Sequence, residues 1–394
     1  MAALDLVTFL LVCAGLVLLV PVVVLLIEVV AGVWPGRATV PASSATPSIA
    51  VLMPAHDEAL VIADTLANIL GALAPDDRLL VVADNCTDAT AEIAEAHGAE
   101  VIRRTDPNQR GKSYALDFGI RHLKSAPPDV VIVVDADCRL DDGTLRTIAA
   151  RAHAIGRPVQ AHYELLAPAG DVSTGRAIAV FAAKVKNYLR PLGLYRLGLP
   201  CQLAGTGMAF PWRAFTTADL KSGELAEDLV LGLDLARAGL AAEFSPSTRV
   251  TSHFPISAEG TSTQRARWEA GHLATIRRVP GLVAEALRTG NLSLLALTLD
   301  AAVPPLALHA MGLVALLILS LIATVWGGYA ALAVSALAVC LFTFAIGLAW
   351  HRIGRDNVSL IQLARAPAYV VSKIPLYTQI LRGKRFTWIR SKRD

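Results

Sequence analysis

Residues 130–137 of the chain read VVIVVDAD, five aliphatic residues followed by two acids with one residue between them. A continuous β-branched run of this length predicts a strand that is buried on both faces, as in a parallel sheet. Asp135 and Asp137 then lie at the carboxyl end of that strand, where open α/β sheets bind ligands. Such a pair of acids suits a hard divalent cation that also contacts phosphate. From this stretch alone, a strand followed by a solvated polar turn is an equally good interpretation.

The composition indicates a membrane protein with one large domain. Hydrophobic residues make up 54% of the 394 residues and the mean hydropathy is +0.51, which is too apolar for an ordinary soluble protein. The net charge of +3 is too small to indicate nucleic acid as a partner. The five cysteines form no CxxC pair, so we expect no disulfide framework or zinc site, and a reducing compartment for the large domain.

The amino-terminal segment predicts a membrane anchor. Residues 1–34 are long and apolar enough for one transmembrane helix, and no Lys or Arg precedes the apolar run, so we expect an uncleaved anchor. A linker is expected over 35–47. Because Arg37 follows the apolar run, the positive-inside rule places the N-terminus outside and the domain at 48–290 in the cytoplasm.

The carboxyl-terminal third predicts a return to the membrane. Residues 291–350 are expected to form an interfacial helix up to about residue 300 and about two crossings. Residues 351–394 predict an amphipathic interface helix and a basic cytoplasmic tail, whose charges suit an anionic leaflet. A fourth crossing over 357–381 is the alternative, and Arg365 and Lys373 count against it.

The segment from residue 48 to about residue 160 alternates strand and helix patterns, which predicts βαβ units and a mainly parallel sheet. The first two strands end in polar clusters at 55–58 and 84–88, so three strands deliver acids to one edge of the sheet. This convergence favours a nucleotide and metal site. The predicted strands are 49–54, 79–84, 101–102 and 130–134, and the predicted helices are 58–73, 87–97 and 112–123.

Further motifs follow along the chain. They are PAHDE at 54–58, Asp84, GK at 111–112, DAD at 135–137, ED at 227–228 and QRARW at 264–268. This set, in this order, resembles membrane-bound family-2 glycosyltransferases, similar to cellulose, chitin-oligosaccharide and hyaluronan synthases and to ceramide glucosyltransferase. The resemblance covers residues 48–270 and implies the GT-A fold, a nucleotide-binding αβα sandwich, which agrees with the α/β pattern.

The resemblance implies a nucleotide-sugar donor, most often linked to UDP, and assigns residues to it. Asp137, together with Asp135, would hold Mg²⁺ or Mn²⁺ on the diphosphate. Lys112 would reach the diphosphate or the base, although a solvated lysine at a helix start is the alternative. The residues expected around the uracil and ribose are Pro54, Asp57, Glu58, Asp84 and Asp135. For Asp84, an N-cap or Asx turn before the helix at 87–97 is the alternative.

The resemblance also implies the catalytic and acceptor-side residues. Asp228, beside Glu227, would be the general base that accepts a proton from the acceptor hydroxyl. A helix-capping carboxylate is the alternative for this pair. The acceptor and leaving-group wall would contain Gln264, Arg267, Trp268, Gly205 and Thr206. An interfacial helix is the alternative for the QRARW segment, and a plain tight turn for Gly205 and Thr206.

His253 is a candidate for an additional metal or phosphate ligand, and a buried structural histidine is the favoured alternative. The function expected from these observations is an inverting, metal-dependent glycosyltransferase at the cytoplasmic face of a bacterial inner membrane. A glycan acceptor is slightly favoured over a membrane lipid, with a homo-oligomer or a secretion partner expected for glycan export. A transporter or a degenerate nucleotide binder is the competing class, and an Asp228 variant discriminates between catalysis and binding.

Overall fold

The computed structural model describes residues 2–36, 46–168, 170–171, 173–217, 220 and 226–382. Most of the predicted linker and the basic tail after residue 382 lie outside these residues. In the described part of the chain, eight strands form one sheet in the order β3-β2-β1-β4-β7-β6-β8-β5. The strands are β1 Ile49–Ala55, β2 Arg78–Asp84, β3 Glu100–Arg104, β4 Val130–Val133, β5 Arg139–Leu140, β6 Val159–Leu166, β7 Met208–Pro211 and β8 Glu243–His253.

The first four strands form the predicted parallel half of the sheet. Strand β1 pairs in parallel with β2 and β4, with Val51 opposite both Leu79 and Ile132. The second half is mixed, because β7 runs antiparallel to both β4 and β6, whereas β6 and β8 are parallel. The expectation of a mainly parallel sheet therefore holds for the β1–β4 half, and the sheet as a whole is mixed.

Helices cover both faces of the sheet, which gives the expected αβα layering. Successive residues of β4 alternate between the two cores: Val130 and Ile132 face one, and Val131 and Val133 face the other. Helices α2 Ile62–Leu70, α3 Thr90–Ala96 and α5 Thr144–Ile155 cover the first face. Helices α4 Lys112–Leu123, α7 Arg190–Arg196 and α8 Glu227–Arg237 cover the second.

A long helical run connects the sheet to the membrane-proximal part. Helix α6 Thr174–Lys184 continues through a π-helical turn, Val185–Leu189, directly into α7. The Ser257 hydroxyl caps α9 Ala258–Ile276 by accepting a hydrogen bond from Gly260 N at 3.1 Å. Helices α10 Val279–Thr289 and α11 Leu292–Ala301 follow, and α11 corresponds to the helix expected before residue 300.

Three helices of the described chain are long and apolar enough to cross a membrane, over Asp5–Val33, Leu306–Trp326 and Tyr329–Gly354. They belong to α1 Ala2–Val33, α12 Leu306–Ala323 and α13 Tyr329–Ala349, with short 3₁₀ or π turns at the ends of α12 and α13. Helix α1 packs against both others. The number of candidate spans agrees with the expected three crossings.

The segment expected as one amphipathic helix is divided into three short helices, α14 Leu360–Ala364, α15 Ala366–Ser372 and α16 Ile374–Leu381. Pro367 and Pro375 stand at the starts of α15 and α16. Because proline lacks an amide N–H and clashes with the preceding turn, it begins helices and interrupts them. The chain therefore bends twice here.

Candidate active site

A cleft that is partly open to solvent lies at the carboxyl ends of β1, β2 and β4. This is the edge at which the sequence predicts converging acids, and the edge at which open α/β sheets bind ligands. Helices α8 and α9 close its other side. Its lining includes nine of the predicted site residues: Pro54, Glu58, Asp84, Lys112, Asp135, Asp137, Glu227, Gln264 and Arg267.

Asp135 and Asp137 form the part of the cleft that could hold a metal ion. One ligand atom of each, together with the Cys138 sulfur, lies within 4.8 Å of the others. The Ser252 hydroxyl donates to Asp137 Oδ2 at 2.5 Å, and Asp135 N donates to Thr206 Oγ1 at 3.1 Å. Two carboxylates fixed in this way match the oxygen preference of Mg²⁺ and Mn²⁺. Burial raises the pKa of the Cys138 thiol well above its usual value, so this side chain stays neutral.

Lys112 lies inside the cleft as the first residue of α4. Its ammonium donates to Asp135 Oδ1 and, at 2.6 Å, to the carbonyl oxygen of Gly205. Burial opposes the positive charge, but the carboxylates of Asp135, Glu227 and Asp228 outweigh it and raise the pKa of Lys112. The lysine is therefore a fixed cation within the site, and the alternative of a solvated helix-start lysine is wrong.

The acidic pair Glu227 and Asp228 lies at the start of α8. Glu227 lines the cleft, whereas Asp228 lines a narrow adjoining cavity that shares Lys112 and Glu227 with it. A Cβ atom added to Gly205 would lie 3.5 Å from Asp228 Oδ2, so this turn approaches the carboxylate closely. Gly205 has φ +89°, a conformation that favours glycine. Burial, and then the charge of Asp228, raise the pKa of Glu227 to about 7.

Asp84 is held by a cation that the sequence reasoning missed. Arg104, at the end of the neighbouring strand β3, donates to Asp84 Oδ1 at 2.6 Å, and both side chains are buried. The Asp84 carbonyl lies 2.6 Å from His56 Nδ1, and His56 also lines the cleft. Helix α3 begins at Thr90, so the alternative of an Asp84 N-cap is wrong. In the parallel pair of β2 and β3, Arg104 lies directly opposite Asp84, and this register is the signal that identifies Arg104 as its partner.

Helix α9 contributes one face to the cleft and the opposite face to the protein interior. Gln264 and Arg267 line the cleft. Trp268 instead packs beside Leu165 and Phe254. Adjacent helical residues point about 100° apart, so Arg267 and Trp268 do not share one surface. Trp268 is thus placed as a packing residue behind the wall that Gln264 and Arg267 form.

Three other predicted site residues lie beside the cleft and do not line it. Thr206 is fully buried behind Asp135. Asp57 adopts φ +54° and accepts a hydrogen bond from Thr87 N at 2.6 Å, which ties together the loops after β1 and β2. His253 is exposed, and because strand side chains alternate between faces, it is Ser252 that reaches Asp137.

The αβα fold and a cleft at the carboxyl ends of its parallel strands define the class of α/β proteins that bind ligands at this edge of the sheet. The model of the family described as "Glycosyltransferase like family 2" matches residues 47–271, more than half of the chain. The chain belongs to this family. The sequence-based assignment to a family-2 glycosyltransferase is thereby confirmed.

Curated relatives match over shorter segments. The chain is 36% identical over 99 residues to the probable glycosyltransferase YdaM of Bacillus subtilis, which is 23% of each protein. It is 34% identical over 102 residues to the low-salt glycan biosynthesis hexosyltransferase Agl6 of Haloferax volcanii, or 25% of this chain and 23% of that protein. The chain thus aligns with about a quarter of the length of these two relatives.

One solved structure resembles nearly the whole chain. It is the mannosyltransferase PcManGT from Pyrobaculum calidifontis, in complex with GDP-Man and Mn²⁺. The TM-score is 0.60 at 17% identity, over 97% of this chain and 100% of that one. At this identity the likeness shows the fold, which confirms the expected α/β GT-A architecture.

Proposed function

We propose that this protein transfers a sugar from a nucleotide donor, a UDP-sugar in the first instance, to an acceptor hydroxyl with inversion at the anomeric carbon. The observation that carries this proposal is the juxtaposition of two sites. Asp135 and Asp137 lie in a cleft whose wall continues, through Lys112 and Glu227, to the Asp228 carboxylate in the adjoining cavity. A donor diphosphate and a general base are both accommodated within this arrangement.

The donor would occupy the cleft with its nucleoside at the ends of β1 and β2. Pro54, Glu58 and Asp84 line that part, with Asp57 supporting the loop beside them. Asp137 and Asp135 would hold Mg²⁺ or Mn²⁺, which supplies positive charge to the donor diphosphate when it is bound. Lys112 and Arg267 line the same cleft, and each would donate charge-assisted hydrogen bonds to the diphosphate.

Asp228 would act as the base in a single displacement. The acceptor hydroxyl oxygen forms a bond to the anomeric carbon, the bond from that carbon to the diphosphate oxygen breaks, and the hydroxyl proton goes to Asp228. The nucleoside diphosphate leaves with the electron pair of the broken bond. Because Lys112 bonds Asp135 beside the expected diphosphate position, it would stabilise negative charge on the leaving group.

The acceptor is a hydroxyl of an oligosaccharide or polysaccharide, delivered at the membrane surface. Three candidate membrane-spanning helices support membrane attachment. The positive-inside arrangement of the sequence supports a cytoplasmic catalytic domain at a bacterial inner membrane. A membrane-lipid acceptor is the second candidate, and the packing of the catalytic domain against α1 supports it. A homo-oligomer or a secretion partner would be required for export of a long glycan.

The test uses purified full-length protein, a panel of UDP- and GDP-sugars, and Mn²⁺ or Mg²⁺, with lipid-soluble and polymeric products separated. We expect Asp228→Asn to lower donor turnover by roughly 10²–10⁴-fold while binding of UDP with Mn²⁺ persists, because it removes the base and retains the shape. Asp234→Asn, on the same helix but paired with Arg237 at the surface, is the matched control. Undiminished turnover in Asp228→Asn would refute the catalytic assignment.

A further inference from the structure

Helix α9 connects the cleft to the carboxyl-terminal helices α15 and α16. Gln264 and Arg267 line the cleft, whereas Arg265 and Glu269 contact the carboxyl-terminal segment. Because successive helical residues are rotated by about 100°, the second pair projects roughly 150° away from the first. The two pairs therefore lie on nearly opposite sides of one helix, and a rotation of α9 about its axis moves both.

Two side-chain contacts join α9 to the carboxyl-terminal helices. Lys373, between α15 and α16, donates to Glu269 Oε1 at 2.5 Å, and both side chains are at most 15% exposed. Arg265 donates to the hydroxyl oxygen of Tyr369, in α15, at 3.3 Å. The Lys373 ammonium also lies 5.7 Å from the centre of the Tyr369 ring. Both partners of the second contact lie one helical turn before those of the first, so the two contacts reinforce each other.

The carboxyl-terminal helices are themselves held by other parts of the molecule. Helix α15 packs against α6 and α12. A Cβ atom added to Gly175 of α6 would lie 3.7 Å from Cδ2 of Tyr369, so the tyrosine ring packs closely on that helix. In α16, the side chain of Tyr377 is buried. Tyr369 and Lys373 therefore hold α9 from a fixed support.

Further contacts hold α9 near its two ends. Close to its start, Arg176 of α6 donates to Thr261 Oγ1 at 3.2 Å. Towards its end, His272 Nε2 lies 2.9 Å from the carbonyl oxygen of Ala301. The contacts with α15 and α16 lie between these two points, at the turns that carry the cleft-lining side chains. They are therefore well placed to fix the rotation of α9 where Arg267 faces the cleft.

We propose that Tyr369 and Lys373 are positioning residues for the donor: through Arg265 and Glu269 they fix the rotation of α9 and so align Arg267 with the donor diphosphate. The proposal rests on the proposed function and gives the carboxyl-terminal helices a part in it. Bidentate pairing of a guanidinium with phosphate requires a fixed orientation, so a small rotation of α9 weakens it. Among the described residues, neither Tyr369 nor Lys373 lines the cleft, so both act through α9.

The test measures the affinity of the full-length protein in detergent for UDP with Mn²⁺ by titration calorimetry. We expect Lys373→Met to weaken binding by roughly 3–10-fold, the size expected for coupling through packed elements. Lys373→Arg keeps a cation for Glu269 and should restore most of the affinity. Arg365→Met, at an exposed position at the start of α15, is the matched control and should bind UDP as the wild type does.

A double-mutant cycle separates positioning from a general loss of structure. Arg267→Met alone should weaken UDP binding by roughly 10–100-fold, because it removes a charge-assisted contact. If Lys373 acts through Arg267, adding Lys373→Met to Arg267→Met should change the affinity little, whereas independent effects would add. Additive effects in the cycle would overturn the proposal, and so would unchanged binding in Lys373→Met.

A second variant tests the other contact, and the outcomes separate this proposal from the proposed function. Tyr369→Phe removes only the hydroxyl oxygen that Arg265 bonds, so it should unfold like the wild type and show a smaller, again non-additive, loss of affinity. If the wild type binds neither UDP nor GDP with Mn²⁺, the donor assignment fails. If Arg267→Met weakens binding but Lys373→Met and Tyr369→Phe do not, the donor assignment stands and the positioning role fails.

Discussion

Lys112 and Arg190 are both deeply placed cations that bond carboxylates, yet their surroundings differ. Lys112 bonds Asp135 in a cleft that is open to solvent. Arg190 bonds Glu28 of α1 at 2.5 Å and also the carboxylate of Asp300 in α11, and all three side chains are at most 9% exposed. The first pair lies where a ligand can replace one partner. The second cluster joins α1, which is a candidate membrane span, to α7 of the α/β domain and to α11.

This difference shows that burial and ion pairing alone do not mark a functional cation. The Lys112 pair has further acids beside it, Glu227 and Asp228, and therefore has unmatched negative charge for a metal ion. The Arg190 cluster carries two acids for one cation in a closed space, so its role is to hold helices together. Removal of Arg190 should therefore lower stability, whereas removal of Lys112 should weaken ligand binding.

The largest expected effect is the loss of stability in Arg190→Met. Removing the guanidinium leaves the side chains of Glu28 and Asp300 buried without their ion-pair and hydrogen-bond partner, which costs about 3–5 kcal/mol. Thermal unfolding of the full-length protein in detergent measures this loss of stability. The triple variant Arg190→Met, Glu28→Gln, Asp300→Asn removes the unpaired charges and should regain much of the loss. An unfolding temperature equal to that of wild type in Arg190→Met would show that the cluster does not join these helices.

A smaller effect, on binding and not on stability, is expected for Lys112→Met. Loss of a charge-assisted contact should weaken UDP binding in the presence of Mn²⁺ by roughly 10–100-fold, as titration calorimetry would show. The unfolding temperature should change less than in Arg190→Met, because Asp135 keeps solvent access in the open cleft. Lys124→Met, at the exposed end of α4, is the control. If Lys112→Met unfolds at a much lower temperature and binds UDP normally, the two cations have the same structural role.

The smallest expected effect concerns the pH dependence contributed by Glu227. Its pKa of about 7 means that the carboxyl is mostly neutral below pH 7 and mostly charged above it. Since the donor diphosphate is negative, affinity for UDP with Mn²⁺ should fall by roughly 3-fold more between pH 6 and pH 8 in wild type than in Glu227→Gln. The phosphate groups of UDP titrate equally in both experiments. The difference between the pH profiles of wild type and Glu227→Gln therefore reports the charge of Glu227 alone. Parallel pH profiles would contradict the assignment.

The donor half of the site was largely predictable from the sequence. Strand β4 was expected from five consecutive aliphatic residues, and it is buried on both faces as that pattern requires. Acids that follow neighbouring parallel strands meet at one edge, so the convergence of Glu58, Asp84 and Asp135 followed from topology alone.

The rest of the site depends on side-chain direction and on partners distant in the chain. The sequence predicted Trp268 as part of the wall, but helical rotation turns it toward Leu165 and Phe254. For His253 the sequence favoured a buried structural histidine over a ligand, but His253 is exposed and Ser252 is the residue that reaches Asp137. Arg104 was missed because a cation at a strand end is ordinary in sequence. Its partner is 20 residues away, and only the strand register makes it specific.

The sequence by itself determined the α/β core, the candidate membrane-spanning segments and the acids of the cleft, because hydrophobic periodicity and strand ends are local properties. Only the tertiary structure decided which cations those acids meet. Glu28, Arg190 and Asp300 are more than 100 residues apart in sequence and become one cluster when α1 packs against α7 and α11. The physical reason is that ion pairing is set by distance and desolvation, which the folded chain alone defines.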